Sequence, residues 1–448
     1  MPDETLLTRT TATAILGIDT LFGGDVMDPS GTGRFIADSW FSDEPLPAAY
    51  THPSAAALRK AGGVTAKAVD QAVVDAYLEA VDVAAAVKEL ARLAVAVGGL
   101  RGAYLAGTAD SLQAMWELAQ ELLGRGPRVD YDRCVVTSTG KPPEPSDPTE
   151  KRRLVAELLA KAGYPAGSPE ALLAAVDAWR AERLVPRKSI AQLAGAFIAQ
   201  LDEGTRRHLV PHLPPSLRDV PRANITFLPI TDAWFSGSMN YVGRARRPDG
   251  SPRYEATYEI NASLEISVPE FAQLVSHEVV PGHVTNFAWT QGLYVTRQMG
   301  FEATVLTMNT RGAALSEGIA NNAILVAHGV TEVGQLPDPD LQLGTLLALL
   351  QDDAKNQSSW LTWREGRPQA EVAATLRRDF LCSAERADKL SGAWGRHPLL
   401  GRMYLPAYRA GTEKVAELRR RHPPEKVLPA LYNCNGLVDL VTIDQVLG

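Results

Sequence analysis

The chain has 448 residues, of which 45% are apolar and 22% charged, with a net charge of −7. That length forecasts several domains or two lobes sharing a large interface, with no need of staples. The composition excludes wholesale disorder and fibrous repeats, and an acidic chain lacks the basic excess that general nucleic-acid binding requires.

From the N-terminus, Met1-Pro2-Asp3-Glu4 is acidic and lacks the charged and apolar regions of a secretory signal. Thr65 to Leu123 repeats apolar residues every three to four positions, which predicts two or three packed helices broken near Gly98-Gly99. Thr137 to Asp147 is a Pro-rich connector, and a second helical block runs from Thr149 to about His208 with a break at Gly163 to Ser168. Pro211 to Pro221 holds four prolines and marks the main boundary. It divides a helical N-terminal lobe, 1–215, from a catalytic lobe, 216–448. Asn224 to Ile266 reads as short strands, Tyr258 to Asn261 and Ser263 to Ile266 among them. From Ser267 onward long helices return. The apolar run Leu341 to Leu350 is too short to span a bilayer and is flanked by Asp338, Asp340, Asp352 and Asp353. Cys134, Cys382 and Cys434 form no C-x-x-C pair and suit a reducing compartment. The expectation is a mainly α, two-lobed cytoplasmic protein with neither membrane nor nucleic acid as partner, its oligomeric state open.

The informative segment is Ser267 to Gly292, SVPEFAQLVSHEVVPGHVTNFAWTQG. Ser267 and Glu270 have the spacing of a capping box, so a helix starts here. His277-Glu278 sits on it, and Pro281-Gly282-His283 follows. A His-Glu pair followed by a second His is how gluzincin peptidases bind Zn²⁺ with two imidazoles and use the Glu as general base. In the common motif the second His lies four residues on, about 40° around the helix; six residues on, it lies about 240° away. A straight helix cannot bring His277 and His283 to one metal. Pro281 removes the N–H that would bond the His277 carbonyl and clashes with that carbonyl. Gly282 permits unusual backbone. The helix is therefore expected to kink, returning His283 to the metal face.

A catalytic zinc takes three protein ligands and keeps one position open. Met308 to His328 reads as a helix ending at Gly329, with Glu317 among Ala, Leu, Gly and Ile. A carboxylate there needs a metal or a partner, the alternative to a metal being Arg311 or Lys355. Gly318 and Ala320 leave room for another helix. Asn321, one turn on, is a candidate hydrogen-bond acceptor for a ligand imidazole. His328, His397 and His422 lack ligand spacing.

HEVVPGH (His277 to His283) with SEGIANN (Ser316 to Asn322) resembles the bacterial HExxPGH metallopeptidase-like family, domain-of-unknown-function family 885, itself similar to the helical gluzincins. The resemblance covers about residues 254 to 448 and includes TYEINASLEIS (Thr257 to Ser267), WLTWREGRPQAEVAATL (Trp360 to Leu376) and HPLLGRMYLPAYRAG (His397 to Gly411). It implies a zincin-like fold with a short β segment beside the active-site helix, and hydrolysis of a peptide or small amide. It also implies Tyr408 as an oxyanion donor and Arg409 as a holder of substrate carboxylate. The strand holding Tyr258 and Asn261 is then an edge on which an extended peptide pairs. Ile319, Asn322 and Ile324 replace the family's Trp, Tyr and Glu, and Val284 replaces a His, which implies a different substrate pocket. Two rivals stand beside the peptidase. A lyase or amidohydrolase on a small metabolite calls for a narrow pocket. A non-catalytic metal-binding helical protein calls for four protein ligands.

Overall fold

The computed structural model describes residues 3–28, 36–230, 237–261 and 265–448. Its architecture is mainly α, with one small three-stranded sheet. The elements used below are α1 (Glu4–Leu21), α2 (Val83–Val97), α3 (Gly99–Leu122), α4 (Thr149–Lys161), α5 (Pro169–Glu182) and α6 (Ile190–His208), then β1 (Ile225–Ile230), β2 (Gly237–Tyr241) and β3 (Ala256–Asn261). After the sheet come α7 (Val268–Glu278), α8 (His283–Val295), α9 (Arg311–Asn321), α10 (Pro339–Ser359) and α11 (Leu405–Arg421). The break between α2 and α3 falls at Gly98, whose φ of 65° suits a residue without Cβ. The second helical block breaks twice: at Gly163 to Ser168 as expected, and again between α5 and α6, where Pro186 interrupts.

Among the described residues three large apolar clusters hold the molecule together, beside a small one of Ala313, Leu400 and Tyr404. The first joins α1, α2 and α3 through Leu16, Leu90 and Leu112 and takes in Phe301, Val305 and Met403 from the C-terminal half. The second packs Val155, Leu159 and Trp179 of α4 and α5 against Leu343, Leu347 and Leu350 of α10. The third gathers the sheet with α6, α7, α8, α9 and α11 around Leu201, Tyr258, Phe271, Trp289, Ile319 and Val415. This grouping differs from lobes 1–215 and 216–448, because α6 buries its stripe in the third cluster and α4–α5 in the second.

The strand order is β1-β3-β2, with β3 parallel to β1 and antiparallel to β2. The expectation of an edge strand at Tyr258 is thereby corrected: β3 is central, paired on both sides, and the edge beside the site is β2. Of the expected strand Ser263 to Ile266, residues 262–264 lie outside the described residues. The Ile266 carbonyl accepts from Val185 N–H at 2.9 Å outside the sheet. Among the described residues no helix is long and apolar enough to cross a membrane.

Candidate metal centre

Helix α7 starts where the sequence places it. Ser267 is the N-cap, accepting from Glu270 N–H at 3.4 Å. The Glu270 side chain turns instead to the Ser267 hydroxyl, at 2.7 Å, and to Arg180. Phe271 and Val275 bury the stripe that seats the helix on the core. The kink expected at Pro281 is a complete break. α7 ends at Glu278, the Val280–Pro281 peptide bond is cis, and α8 starts at His283. Thr285 closes the turn by donating its N–H and its hydroxyl to the Val279 carbonyl, each at 3.1 Å. Gly282 takes the unusual backbone expected of it and meets a second demand as well. Its φ of −76° goes with a ψ of −135°, neither helical nor extended, and a Cβ there would lie 1.8 Å from the His277 carbonyl oxygen.

The break brings both imidazoles to one point. His277 Nε2 and His283 Nε2 are 3.2 Å apart, with the rings perpendicular. Glu317 arrives from α9, its Oε2 3.5 Å from His277 Nε2 and its Oε1 3.6 Å from His283 Nε2. Two bonds of 2.0–2.1 Å at a tetrahedral angle hold ligand atoms about 3.3 Å apart, and the three observed separations bracket that value. Glu317 is buried, and its Oε2 has no hydrogen-bond partner among the described residues. A buried carboxylate that faces two imidazole nitrogens and has one oxygen with nothing to accept fits a cation between the three groups. The ion pairs considered for Glu317 do not form: Arg311 pairs with Asp439 and Lys355 with Asp352.

Asn321 takes the expected place. Its Oδ1 lies 2.7 Å from His277 Nδ1. The chain continues beyond it, with Asn321 Nδ2 donating to Thr412 Oγ1 at 2.8 Å and Thr412 Oγ1 donating to Asp352 Oδ2 at 3.0 Å. A carboxylate only accepts, so Asp352 fixes the direction of every bond in the row. The last proton sits on His277 Nδ1 and the Nε2 lone pair faces Glu317 and His283. Tyr404 orients the other side, donating to Glu317 Oε1 at 2.5 Å. Glycines bring these helices together. A Cβ on Gly318 would lie 2.2 Å from the Gly411 carbonyl oxygen, so α9 and α11 cross backbone against backbone.

Electrostatics follow from burial and proximity. Burial pushes His277 down to about 3, aided by the charge on His283. Burial opposes charge on His283 too, but Glu317 and Glu278 outweigh it and hold that imidazole up at about 9. Glu317 is likewise disfavoured by burial, and the histidines with the Tyr404 hydroxyl bring it down to about 2. Glu278 is pushed up to about 7, chiefly by burial, although it receives the Met239 N–H of edge strand β2. Asp38, from the N-terminal segment, adds its negative charge near Glu278 and His283.

A cleft of about 210 Å³ opens beside His277 and Glu278, and Asn321, Tyr408, Lys355 and Gly237 also line it. Tyr408 therefore reaches the site, its ring edge-on to Tyr404 at 5.1 Å. Arg409 does not. One residue further round α11, it bonds Glu413, the Pro145 carbonyl and Glu144. Tyr258 is fully buried against Phe227, with its hydroxyl beside the cleft-lining Gly237. Asn261 ends β3, and its side chain lies outside the described residues. The sequence reading missed Tyr404, Thr412, Asp352 and Asp38. The one usable signal was Asp352-Asp353 inside the leucine-rich α10.

No protein-family model matches the chain, and no curated protein matches it. Among solved structures it is similar in fold to a chain described as a "putative lipoprotein" from Colwellia psychrerythraea, at 14% identity and a TM-score of 0.50, covering 85% of this chain and 64% of that one. A "putative lipoprotein of unknown function" from Shewanella oneidensis is similar at 14% identity and a TM-score of 0.51, covering 85% and 68%. This chain thus spans about two thirds of the length of each.

Proposed function

We propose that the protein is a zinc-dependent hydrolase of peptide or related amide bonds, of the HExxPGH gluzincin-like type. The observation that carries the reading is the convergence of His277, His283 and Glu317 beside a cleft that His277 and Glu278 line. Among the described residues this is the one group of three or more His, Cys, Asp or Glu side chains close enough to hold a metal ion. Three protein donors in place of four favour a catalytic over a structural centre. A zinc ion there would polarise a substrate carbonyl and make water more acidic.

The chain's own groups supply the rest. Glu278 follows His277 by one residue, so its side chain points about 100° away around the helix. It flanks the donor set without joining it. With its carboxyl raised to about 7, burial outweighing the nearby charge of His283 and the Met239 N–H, it takes a proton from the attacking water and returns it to the leaving nitrogen. Burial raises the Tyr408 phenol well above its ordinary value, so it stays protonated at neutral pH and donates to the developing oxyanion. The edge of β2, above Glu278, replaces β3 as the place where an extended substrate backbone lies.

The test is zinc content and hydrolysis of a peptide library, measured on the same preparations. The wild type is expected to hold about one zinc per chain. His277→Ala and His283→Ala lose it, while Glu278→Gln keeps it and hydrolyses about 10²–10⁴-fold more slowly. Full zinc retention in both histidine variants rejects the centre. Full activity of Glu278→Gln rejects the mechanism.

A further inference from the structure

Most of the charge lining the cleft is already engaged. Arg180 grips Glu270 with Nη2 at 2.8 Å and Nε at 3.1 Å and gives Nη1 to the Leu381 carbonyl. Lys389 lies 2.6 Å from Glu385 in a more exposed pair. Lys355 is placed differently. Its Nζ is 3.0 Å from Asp352 Oδ1 and 3.3 Å from the centroid of the Tyr408 ring. An ammonium has three N–H donors. Asp352 takes one and the face of Tyr408 lies against the group, while the side chain keeps 12% of its surface on the cleft. Asp352 is a shared counter-ion, since its other oxygen accepts from Thr412. A cation held by a shared carboxylate and an aromatic face, on the same wall as His277 and Tyr408, suits a second anion.

We propose that Lys355 holds the free carboxylate of the substrate, so that the bond hydrolysed is the one next to a C-terminal residue. This rests on the hydrolase reading above and names its substrate class: short peptides or N-acyl amino acids with a free carboxylate. Consecutive Cα atoms are 3.8 Å apart, so a terminal carboxylate and the last peptide carbonyl are one residue from each other. Lys355 lines the same cleft as His277 and its charge bears on that imidazole, which suits the end of a chain and not the middle of a long one. The cleft's 210 Å³ is below the roughly 300–1,000 Å³ of pockets for drug-sized ligands, which suits a substrate of few residues. Leu274, Ala348 and Trp394 give the terminal side chain an apolar wall. Water adds across the C–N bond, releasing a carboxylic acid and a free amino acid, and no other co-reactant is needed. Arg409, the earlier candidate for this role, is occupied in its own ion pairs.

The test uses the zinc-loaded full chain, with zinc content and melting temperature checked for each variant. Binding of a pool of N-acetyl amino acids, and of the matching C-terminal amides, is measured by calorimetry on the wild type, Lys355→Gln and Lys355→Arg. Hydrolysis of short peptides with free and with amidated C-termini is followed on the same samples. The wild type is expected to prefer the acids in both assays. Lys355→Gln should bind them about ten- to a hundred-fold more weakly, the scale of a hydrogen bond between charged groups, and Lys355→Arg should restore part of the preference. Equal treatment of acids and amides by the wild type overturns the proposal, whatever the variants do. So does unaltered acid binding in folded Lys355→Gln. A wild type that binds the acids through Lys355 but cleaves nothing overturns the hydrolase reading instead and leaves the carboxylate site standing.

Discussion

Replacing Asn321 by Ala tests whether the row from Asp352 to His277 sets up the metal site. Asn321 is buried and makes two short bonds, 2.7 Å to His277 Nδ1 and 2.8 Å to Thr412 Oγ1. Thr412 keeps its bond to Asp352 in the variant, so its loss is small. His277 Nδ1–H is left buried without an acceptor, a cost of about 1–3 kcal/mol. The imidazole is then free to exchange tautomers or turn, and the Nε2 lone pair is no longer held toward Glu317 and His283. Partners of this kind contribute about 10–100-fold to metal affinity. The assay is competition for zinc with a chromophoric chelator, alongside urea unfolding of the zinc-free protein. Asn321→Asp is the control. It keeps an acceptor for His277 Nδ1–H, so its zinc affinity should stay well above that of the alanine variant. A folded Asn321→Ala protein with wild-type zinc affinity, or an aspartate variant as weak as the alanine one, refutes the reasoning.

Three further outcomes are expected. Tyr404→Phe removes the hydroxyl from Glu317 Oε1 and should weaken zinc about ten-fold or more in the same competition assay, with secondary structure unchanged by circular dichroism. Gly318→Ala places a methyl 2.2 Å from the Gly411 carbonyl; overpacking of about 1–3 kcal/mol should outweigh a helix-propensity gain of about 1 kcal/mol, lowering the urea midpoint. Asp19 is fully buried, accepts from Ile36 and Ala37 N–H through Oδ1, and is raised to about 7, chiefly by burial. Its folded pKa lies above the unfolded value of 3.8, so the folded state holds the extra proton. Its stabilisation is complete below pH 4 and is lost as pH rises through about 7, a change of order 4 kcal/mol. Asp19→Asn should flatten that slope in urea titrations across pH 4 to 8, and an unchanged slope rejects the assignment.

The parts of the molecule legible in sequence are those governed by local rules. Gly98, Ser267 and Gly329 punctuate helices where their chemistry requires it, and the Pro-Gly between His277 and His283 announces a break that shared metal binding needs. Asn321 and Glu317 were readable because polar groups inside an apolar helix demand partners. Sheet order was not readable, since nothing in Tyr258 to Asn261 distinguishes a central strand from an edge one. Arg409 was misplaced because neighbouring helical residues face directions about 100° apart, and only the packing of α11 shows which of Tyr408 and Arg409 meets the cleft. Thr412, Asp352 and Tyr404 act at sequence separations of 91, 60 and 87 residues from the groups they bond, and no local pattern reports such pairings.

The turn between α7 and α8 has a mechanical consequence. His277 belongs to the last turn of one helix and His283 is the first residue of the next, with Gly282 pressed against the His277 carbonyl. The separation of the two imidazoles is thus set by a link four residues long. Glu317 has no covalent link of this kind: α9 is held to α7 by the bond from Asn321 to His277 and by its packing on α11. In mechanical terms the donor set is a pair linked through the chain and a third member joined to it by a hydrogen bond and by packing.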